Sequence, residues 1–200
     1  MNRRAMTKPR FLAFAAALSL GTLAACGQSA PPPLAGAAIG GPFELVDSAG
    51  ETVRWEDFDG QYRMVYFGYA YCPDVCPFDV QRMMQGYNSF AQQEPELAAE
   101  VQPIFITIDP ARDTPAVVGE FTSAFSDRLL GLTGTPEQVD AAAKAFSVYY
   151  QKGEVTESGG YLMDHSRAAF LMGRDGEPIA LLPVDSGAEP VAAELGKWVS

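Results

Sequence analysis

The sequence predicts an α/β domain in which a central β-sheet is flanked by helices and preceded by an N-terminal β-hairpin. Two short apolar runs, residues 63–69 and 103–109, are rich in β-branched and aromatic residues, which is typical of buried strands. Between them, residues 77–93 contain one internal glycine, Gly86, and space their apolar side chains as a helix does. A strand, a helix and a second strand in this order predict a βαβ unit.

Turn and capping signals predict the remaining elements. Residues 43–58 alternate around a Ser48-Ala49-Gly50 turn, which predicts the N-terminal hairpin. Thr114-Pro115 and Thr135-Pro136 each combine an N-cap residue with proline at the first helical position, so each predicts a helix. A short strand near Gly131-Leu132, an apolar hairpin around Arg174-Asp175-Gly176 and a final helix over 189–199 are also expected. This order fits a thioredoxin-like sheet between helices, and a generic α/β domain would give a similar pattern.

The first 40 residues of the chain predict export and anchoring. Four basic residues precede the apolar run 11–20, which is too short for a comfortable membrane span but suits a secretory signal. The run ends in Leu23-Ala24-Ala25-Cys26, which resembles the lipobox of bacterial lipoproteins. We therefore expect residues 1–25 to be a lipoprotein signal peptide, 26–40 to be the lipidated Cys26 with a flexible tether, and 41–200 to be the globular domain. The alternative is an ordinary signal that leaves Cys26 as a free thiol.

The charge balance excludes one class of partner. The 200 residues include 25 acidic and 14 basic side chains, a net charge of −11. Removal of residues 1–25 would make the chain more acidic still, because the removed segment holds basic residues and no acidic ones. Nucleic acid is therefore not an expected partner.

Cys72 and Cys76 are the two cysteines available for chemistry. In an exported protein they could be a disulfide scaffold, a redox pair or a metal site. A bridge between residues four apart closes too small a loop to stabilise a domain of this size, so a functional role is favoured. Pro77 predicts that the helix begins there, with Cys76 just before it and Cys72 in the preceding turn. Both sulfurs would then lie near the positive end of the helix dipole, which favours thiolates.

His165 is the only histidine of the chain. Two thiols and one imidazole are a soft S2N donor set, which suits copper. Spacing alone leaves open that His165 is structural and that its neighbour Asp164 merely caps a turn. The methionines at 83, 84 and 163 are soft as well, but their helical or strand spacing is typical of core residues.

Four segments carry a family resemblance. YFGYAYCPDVCP, ITIDPARDTP, LTGTPEQVDAAAKAFSVYY and YLMDHSRAAFLMGRDG, in this order, closely resemble the Sco/SenC family of copper-binding assembly factors for cytochrome c oxidase. The resemblance implies a thioredoxin-like fold and one copper ion held by Cys72, Cys76 and His165. Family members often have Thr-His where this chain has Ala70-Tyr71, and often aspartate at Gly160; neither position is a required ligand. In DPARDTP, helix capping and an ion pair are preferred to a direct catalytic role.

Three functions are compatible with these residues. The first is a membrane-anchored metallochaperone that delivers Cu(I) or Cu(II) to the CuA-bearing subunit of cytochrome c oxidase on the periplasmic side of a bacterial membrane. The second is a thiol-disulfide oxidoreductase in which Cys72 and Cys76 are the redox-active pair, reducing the copper-ligand cysteines of that subunit or acting as a redox sensor. Other copper chaperones or thioredoxin-like reductants are further expected partners. A thiol peroxidase is disfavoured, because no peroxidatic frame surrounds Cys72. Enzymatic activity is therefore not the first expectation.

Overall fold

A computed structural model of the chain describes residues 30–157 and 159–200. In chain order its strands are β1 (Glu44–Val46), β2 (Thr52–Arg54), β3 (Tyr62–Gly68), β4 (Val101–Thr107), β5 (Leu130–Leu132), β6 (Tyr150–Lys152), β7 (Met163–His165), β8 (Ala169–Met172) and β9 (Pro178–Leu182). Its α-helices are α1 (Val75–Gln93), α2 (Pro95–Ala99), α3 (Pro115–Ser123), α4 (Pro136–Ala145) and α5 (Ala188–Trp198), and Trp55–Phe58 form a 3-10 helix.

The central sheet has five strands in the order β5-β4-β3-β8-β9. Strands β3, β4 and β5 are parallel, and β8 and β9 continue the sheet in antiparallel pairing. Every residue of β3 is buried, and so is every residue of β4 except Gln102, which explains why both read as continuous apolar runs. The predicted α/β architecture is confirmed, including the N-terminal hairpin, in which β1 and β2 pair antiparallel.

Helices α3 and α4 begin at Pro115 and Pro136, where the two Thr-Pro signals predict. The Thr135 hydroxyl accepts a hydrogen bond from Gln138 N at 3.3 Å, and the Gln138 side chain accepts one from Thr135 N at 2.9 Å, so the capping box is formed. Helix α1 packs against α5 at Gly86, where a Cβ would lie 2.6 Å from the Val191 side chain. The two helix axes can approach this closely only because residue 86 has no side chain.

An aromatic cluster links the hairpin region to the sheet. Phe146, directly after α4, lies 5.6 Å from Trp55, 5.3 Å from Phe67 and 5.5 Å from Phe170, measured between ring centroids. The four rings belong to the 3-10 helix, the chain after α4, β3 and β8, so the elements share one core. Pro31–Ser200 form one compact unit around this core, and we expect them to fold alone.

The segment before β1 lies against the domain. Leu34 N donates to Ile179 O at 3.0 Å, Gly40 N donates to Ala145 O at 2.9 Å, and Leu34 and Ile39 pack against the core. The later part of the predicted 26–40 tether is therefore ordered on the domain surface. The predicted signal peptide and Cys26 lie outside the described residues. Within the described part of the chain, no helix is long and apolar enough to cross a membrane.

Two features depart from the sequence-based expectation. The sequence analysis predicts no strand between the Thr135-Pro136 helix and the apolar hairpin, but β6 and β7 lie there and pair antiparallel in a separate two-stranded ribbon. Tyr150 lies opposite His165 in this ribbon. Helix α1 begins at Val75, two residues before the expected start at Pro77.

Candidate metal centre

Cys72 and Cys76 lie between the end of the central strand β3 and the first turn of α1. Cys72 N donates to Tyr69 O at 3.2 Å, which closes a turn after the strand. Cys76 N donates to Cys72 Sγ at 3.4 Å, so the Cys72 sulfur is the acceptor for one of the first backbone N–H groups of α1. Pro77 is the third residue of α1 and Cys76 the second. Proline is tolerated there because the first N–H groups of a helix have no intrahelical acceptor, so the missing N–H of Pro77 breaks no helical hydrogen bond.

His165 lies at the end of β7 and faces the second cysteine. Its Nε2 is 3.3 Å from Cys76 Sγ, across 89 residues of sequence. Its Nδ1 is 2.8 Å from Ser166 O. A carbonyl oxygen can only accept, so Nδ1 carries the proton and the Nε2 lone pair faces the sulfur.

Burial keeps both groups of this contact neutral. It raises the pKa of the Cys76 thiol well above its ordinary value, and the neighbouring Cys72 thiol raises it further. Burial also lowers the pKa of the His165 imidazole. The Cys76 S–H therefore donates to the free nitrogen of His165. The expected thiolate at Cys76 is not supported, because a helix terminus stabilises a charge by about 1 kcal/mol whereas burial of an ion costs several kcal/mol.

Cys72 is adjacent to this pair but differs in exposure. It is half-buried, whereas Cys76 is fully buried, and both are free thiols. Within residues 30–157 and 159–200, no three His, Cys, Asp or Glu side chains are arranged to hold a metal ion as they stand. The structure therefore brings Cys76 and His165 into contact and leaves Cys72 beside them, with its Sγ accepting a hydrogen bond from the Cys76 N–H.

Tyr69 is a site residue that sequence reasoning missed. The residue is 2% exposed, and its ring meets His165 edge to face, with 6.0 Å between ring centroids. Its hydroxyl accepts a hydrogen bond from Met163 N at 3.3 Å, and burial raises the pKa of Tyr69 to about 12. The phenol therefore connects the end of β3 to the first residue of β7. Its position in an apolar strand gave no signal that it would reach β7.

The DPARDTP segment (residues 109–115) contacts the backbone just before Cys72. Arg112 Nε lies 2.5 Å from Asp109 Oδ2, so the preferred ion pair is present, and its guanidinium stacks 3.6 Å from the Tyr161 ring. The buried Asp113 carboxylate accepts hydrogen bonds from Ala70 N at 2.9 Å and from the Thr107 hydroxyl at 2.6 Å. Asp113 thus holds the backbone two residues before Cys72.

The remaining residues singled out from the sequence are not ligands in the assigned site and are structural. Met83, Met84 and Met163 are buried in the core, as their spacing indicates. Asp164 is exposed and pairs with Gln151 across the ribbon. Asp79 and Arg167, which the sequence did not single out, form an ion pair between α1 and the segment after His165.

The fold and the site together define a class of protein: a thioredoxin-like domain with a dithiol at the strand-to-helix junction and an imidazole facing its second thiol. A model of the SCO1/SenC family matches residues 32–200, and the chain belongs to this family. The resemblance seen in the sequence and the thioredoxin-like fold that it implies are confirmed.

Relatives from bacteria and mitochondria agree with this assignment. Protein SenC of Rhodobacter capsulatus is 46% identical over 138 residues, 69% of this chain and 60% of that protein. The human mitochondrial SCO1 homolog is 40% identical over 139 residues, 70% of this chain and 46% of that protein. The chain thus spans about half the length of these relatives. The structure of Bradyrhizobium japonicum ScoI with copper bound matches with a TM-score of 0.72 and 35% identity, covering 80% of this chain and 99% of that one.

Proposed function

We propose that this protein is a metallochaperone that binds copper and delivers it to the CuA centre of cytochrome c oxidase during assembly. The observation that carries the proposal is the 3.3 Å contact between Cys76 Sγ and the unprotonated Nε2 of His165. A soft sulfur and an imidazole nitrogen aimed at each other are a donor pair that suits copper. Copper bound to ScoI of Bradyrhizobium japonicum, a structure 35% identical to this chain, supports the same cargo here.

Each of the three proposed ligands has its own part in holding the ion. Cys76 exchanges its proton for copper, and His165 offers Nε2 while Ser166 O holds its Nδ1–H. Cys72 would supply the second sulfur, which in this structure accepts a hydrogen bond from the Cys76 N–H. Because Cys72 is half-buried while Cys76 is fully buried, Cys72 is the ligand at which a recipient's cysteine enters. Three protein ligands leave a position for that exchange.

The same proposal includes export and anchoring. Residues 1–25 would be a signal peptide, and a lipidated Cys26 would hold the protein on the periplasmic side of a bacterial membrane. The oxidase subunit that bears CuA would be met on that side. Support comes from the basic and apolar order of the N-terminus and from the Leu23-Ala24-Ala25-Cys26 sequence.

A second function, thiol-disulfide exchange, is favoured by one specific observation. The half-buried Cys72 and the fully buried Cys76 are both free and adjacent, so Cys72 can attack a partner's disulfide and Cys76 can resolve the mixed disulfide. Copper binds only when the Cys72–Cys76 disulfide is open, so the two functions exclude each other at any one moment. The partner's copper-ligand cysteines would be the substrate.

His165→Ala separates the two functions. Residues 31–200, reduced and free of tags, are titrated with copper without oxygen and are tested in parallel for insulin reduction. We expect one tightly bound copper per chain, and loss of the Cu(II)–thiolate charge-transfer band in His165→Ala with insulin reduction unchanged. Met163→Leu is the matched control in the same strand and should keep the band. An unaltered copper spectrum in His165→Ala would refute the proposed ligand set.

A further inference from the structure

An ion pair between a buried carboxylate and a partly exposed guanidinium joins α1, which carries Cys76, to the segment directly after His165. Asp79 lies on α1, three residues after Cys76, and its side chain is fully buried. Its Oδ2 accepts a hydrogen bond from Arg167 Nε at 3.0 Å and its Oδ1 accepts one from Arg167 Nη2 at 2.7 Å. Arg167 follows His165 by two residues. The guanidinium therefore pairs with the carboxylate through two parallel bonds, the geometry that fixes orientation as well as distance.

The central strand completes this arrangement. The Tyr66 hydroxyl on β3 donates to Asp79 Oδ2 at 3.1 Å, so the buried carboxylate accepts three hydrogen bonds. Tyr66 itself has no exposed surface. One carboxylate thus connects β3, α1 and the chain between β7 and β8.

The ribbon that holds His165 needs such a connection. Among the residues that the structure describes, strand β7 pairs only with β6 and is not part of the five-stranded sheet, so no hydrogen bond of that sheet sets its distance from α1. At its first residue, Met163, β7 is held by the Tyr69 hydroxyl. Beyond its last residue, His165, it is held to α1 through Arg167 and Asp79.

We infer that Asp79 and Arg167 are positioning residues that hold the imidazole of His165 against Cys76 Sγ. The inference deepens the proposed function, and its copper measurement rests on that function. Neither residue touches the metal in this assignment. They set the distance between two ligands that come from separate elements, which is how residues behind the ligands control metal affinity.

The test uses Arg167→Lys, which keeps the charge and removes the planar two-pronged pairing. The control is Arg82→Lys, because Arg82 lies on α1 as Asp79 does, and the hydrogen bonds that its guanidinium makes within the described residues go to the carbonyls of Val184 and Asp185, at 3.4 and 3.3 Å. In reduced, metal-free residues 31–200, the nuclear Overhauser effect between the His165 ring and the Cys76 β-protons reports their separation. The chain has one histidine, so the ring signals are unambiguous.

We expect this effect to fall to about half or less in Arg167→Lys and to remain in Arg82→Lys. Copper affinity should fall about tenfold in Arg167→Lys alone. A full effect in folded Arg167→Lys overturns the inference. A wild-type protein that shows the effect but binds no copper refutes the proposed function and leaves the positioning role standing. If Arg167→Lys loses its dispersed amide spectrum, the double variant Asp79→Asn/Arg167→Gln, which removes both charges together, is measured with the same expectation and the same refuting result.

Discussion

Copper uptake at neutral pH is expected to release the proton of Cys76 and none from His165. Burial raises the pKa of Cys76, so its thiol is protonated at pH 7 and loses about one proton when it binds copper as a thiolate. Burial lowers the pKa of His165, and Ser166 O holds its Nδ1–H, so Nε2 is already free at pH 7. For each proton released, the free energy of copper binding becomes more favourable by about 1.4 kcal/mol for each unit by which the pH rises.

His165→Ala should therefore release the same number of protons as the wild type, although it binds more weakly. Cys76→Ser should release about one fewer, because the serine hydroxyl keeps its proton. Calorimetric Cu(I) titrations at pH 7, without oxygen and against a competing ligand, count the protons when repeated in two buffers of different ionisation enthalpy. A loss of about one proton in His165→Ala would refute the reasoning, since it would mean that His165 is charged in the metal-free protein.

Three further substitutions test the scaffold, each read from the free energy of unfolding in urea. Gly86→Ala should destabilise the domain by about 1–3 kcal/mol, because the added Cβ would lie 2.6 Å from the Val191 side chain of α5. Gly196→Ala is the control: nothing lies within 4 Å of the added Cβ, so this substitution should stabilise the domain by about 0.5–1 kcal/mol. Equal effects of the two substitutions would contradict the packing argument. Thr135→Ala should cost about 1 kcal/mol through loss of the capping box, and no loss would mean that the cap is not formed in solution. Asp113→Ala should cost about 2 kcal/mol or more, because it leaves two donors without their partner, and a neutral result would place the Asp113 carboxylate outside the supporting network.

Elements with a local signal were predictable from the sequence. The βαβ unit, both hairpins and the two Thr-Pro helix starts have caps, turns or apolar runs that act within a few residues, and the structure contains all of them. The β6–β7 ribbon was not predicted, because three-residue strands in a polar segment have no such local pattern. Its pairing depends on where His165 and Tyr150 are placed by the rest of the fold.

The candidate site divides in the same way. Cys72, Cys76 and His165 could be selected by residue type and by resemblance, and the Cys76–His165 contact is present in the structure. Their protonation could not be predicted, because the sequence indicates a helix terminus beside the thiols but does not show how deeply Cys76 is buried. Asp79, like Tyr69 and Arg167, was not singled out from the sequence. An acidic side chain on the buried face of a helix indicates that a basic side chain pairs with it, but the sequence does not show that this side chain is Arg167.

The separation of the ribbon from the central sheet has a consequence for how fast cargo can leave. Short two-stranded ribbons are among the least stable parts of a domain and open without global unfolding. Because His165 lies on the ribbon while both cysteines lie between the end of β3 and the first turn of α1, such an opening would remove one ligand and leave the two sulfurs in place. The rate of transfer would then follow the local opening frequency of residues 150–165, which amide hydrogen exchange can measure in the metal-loaded protein.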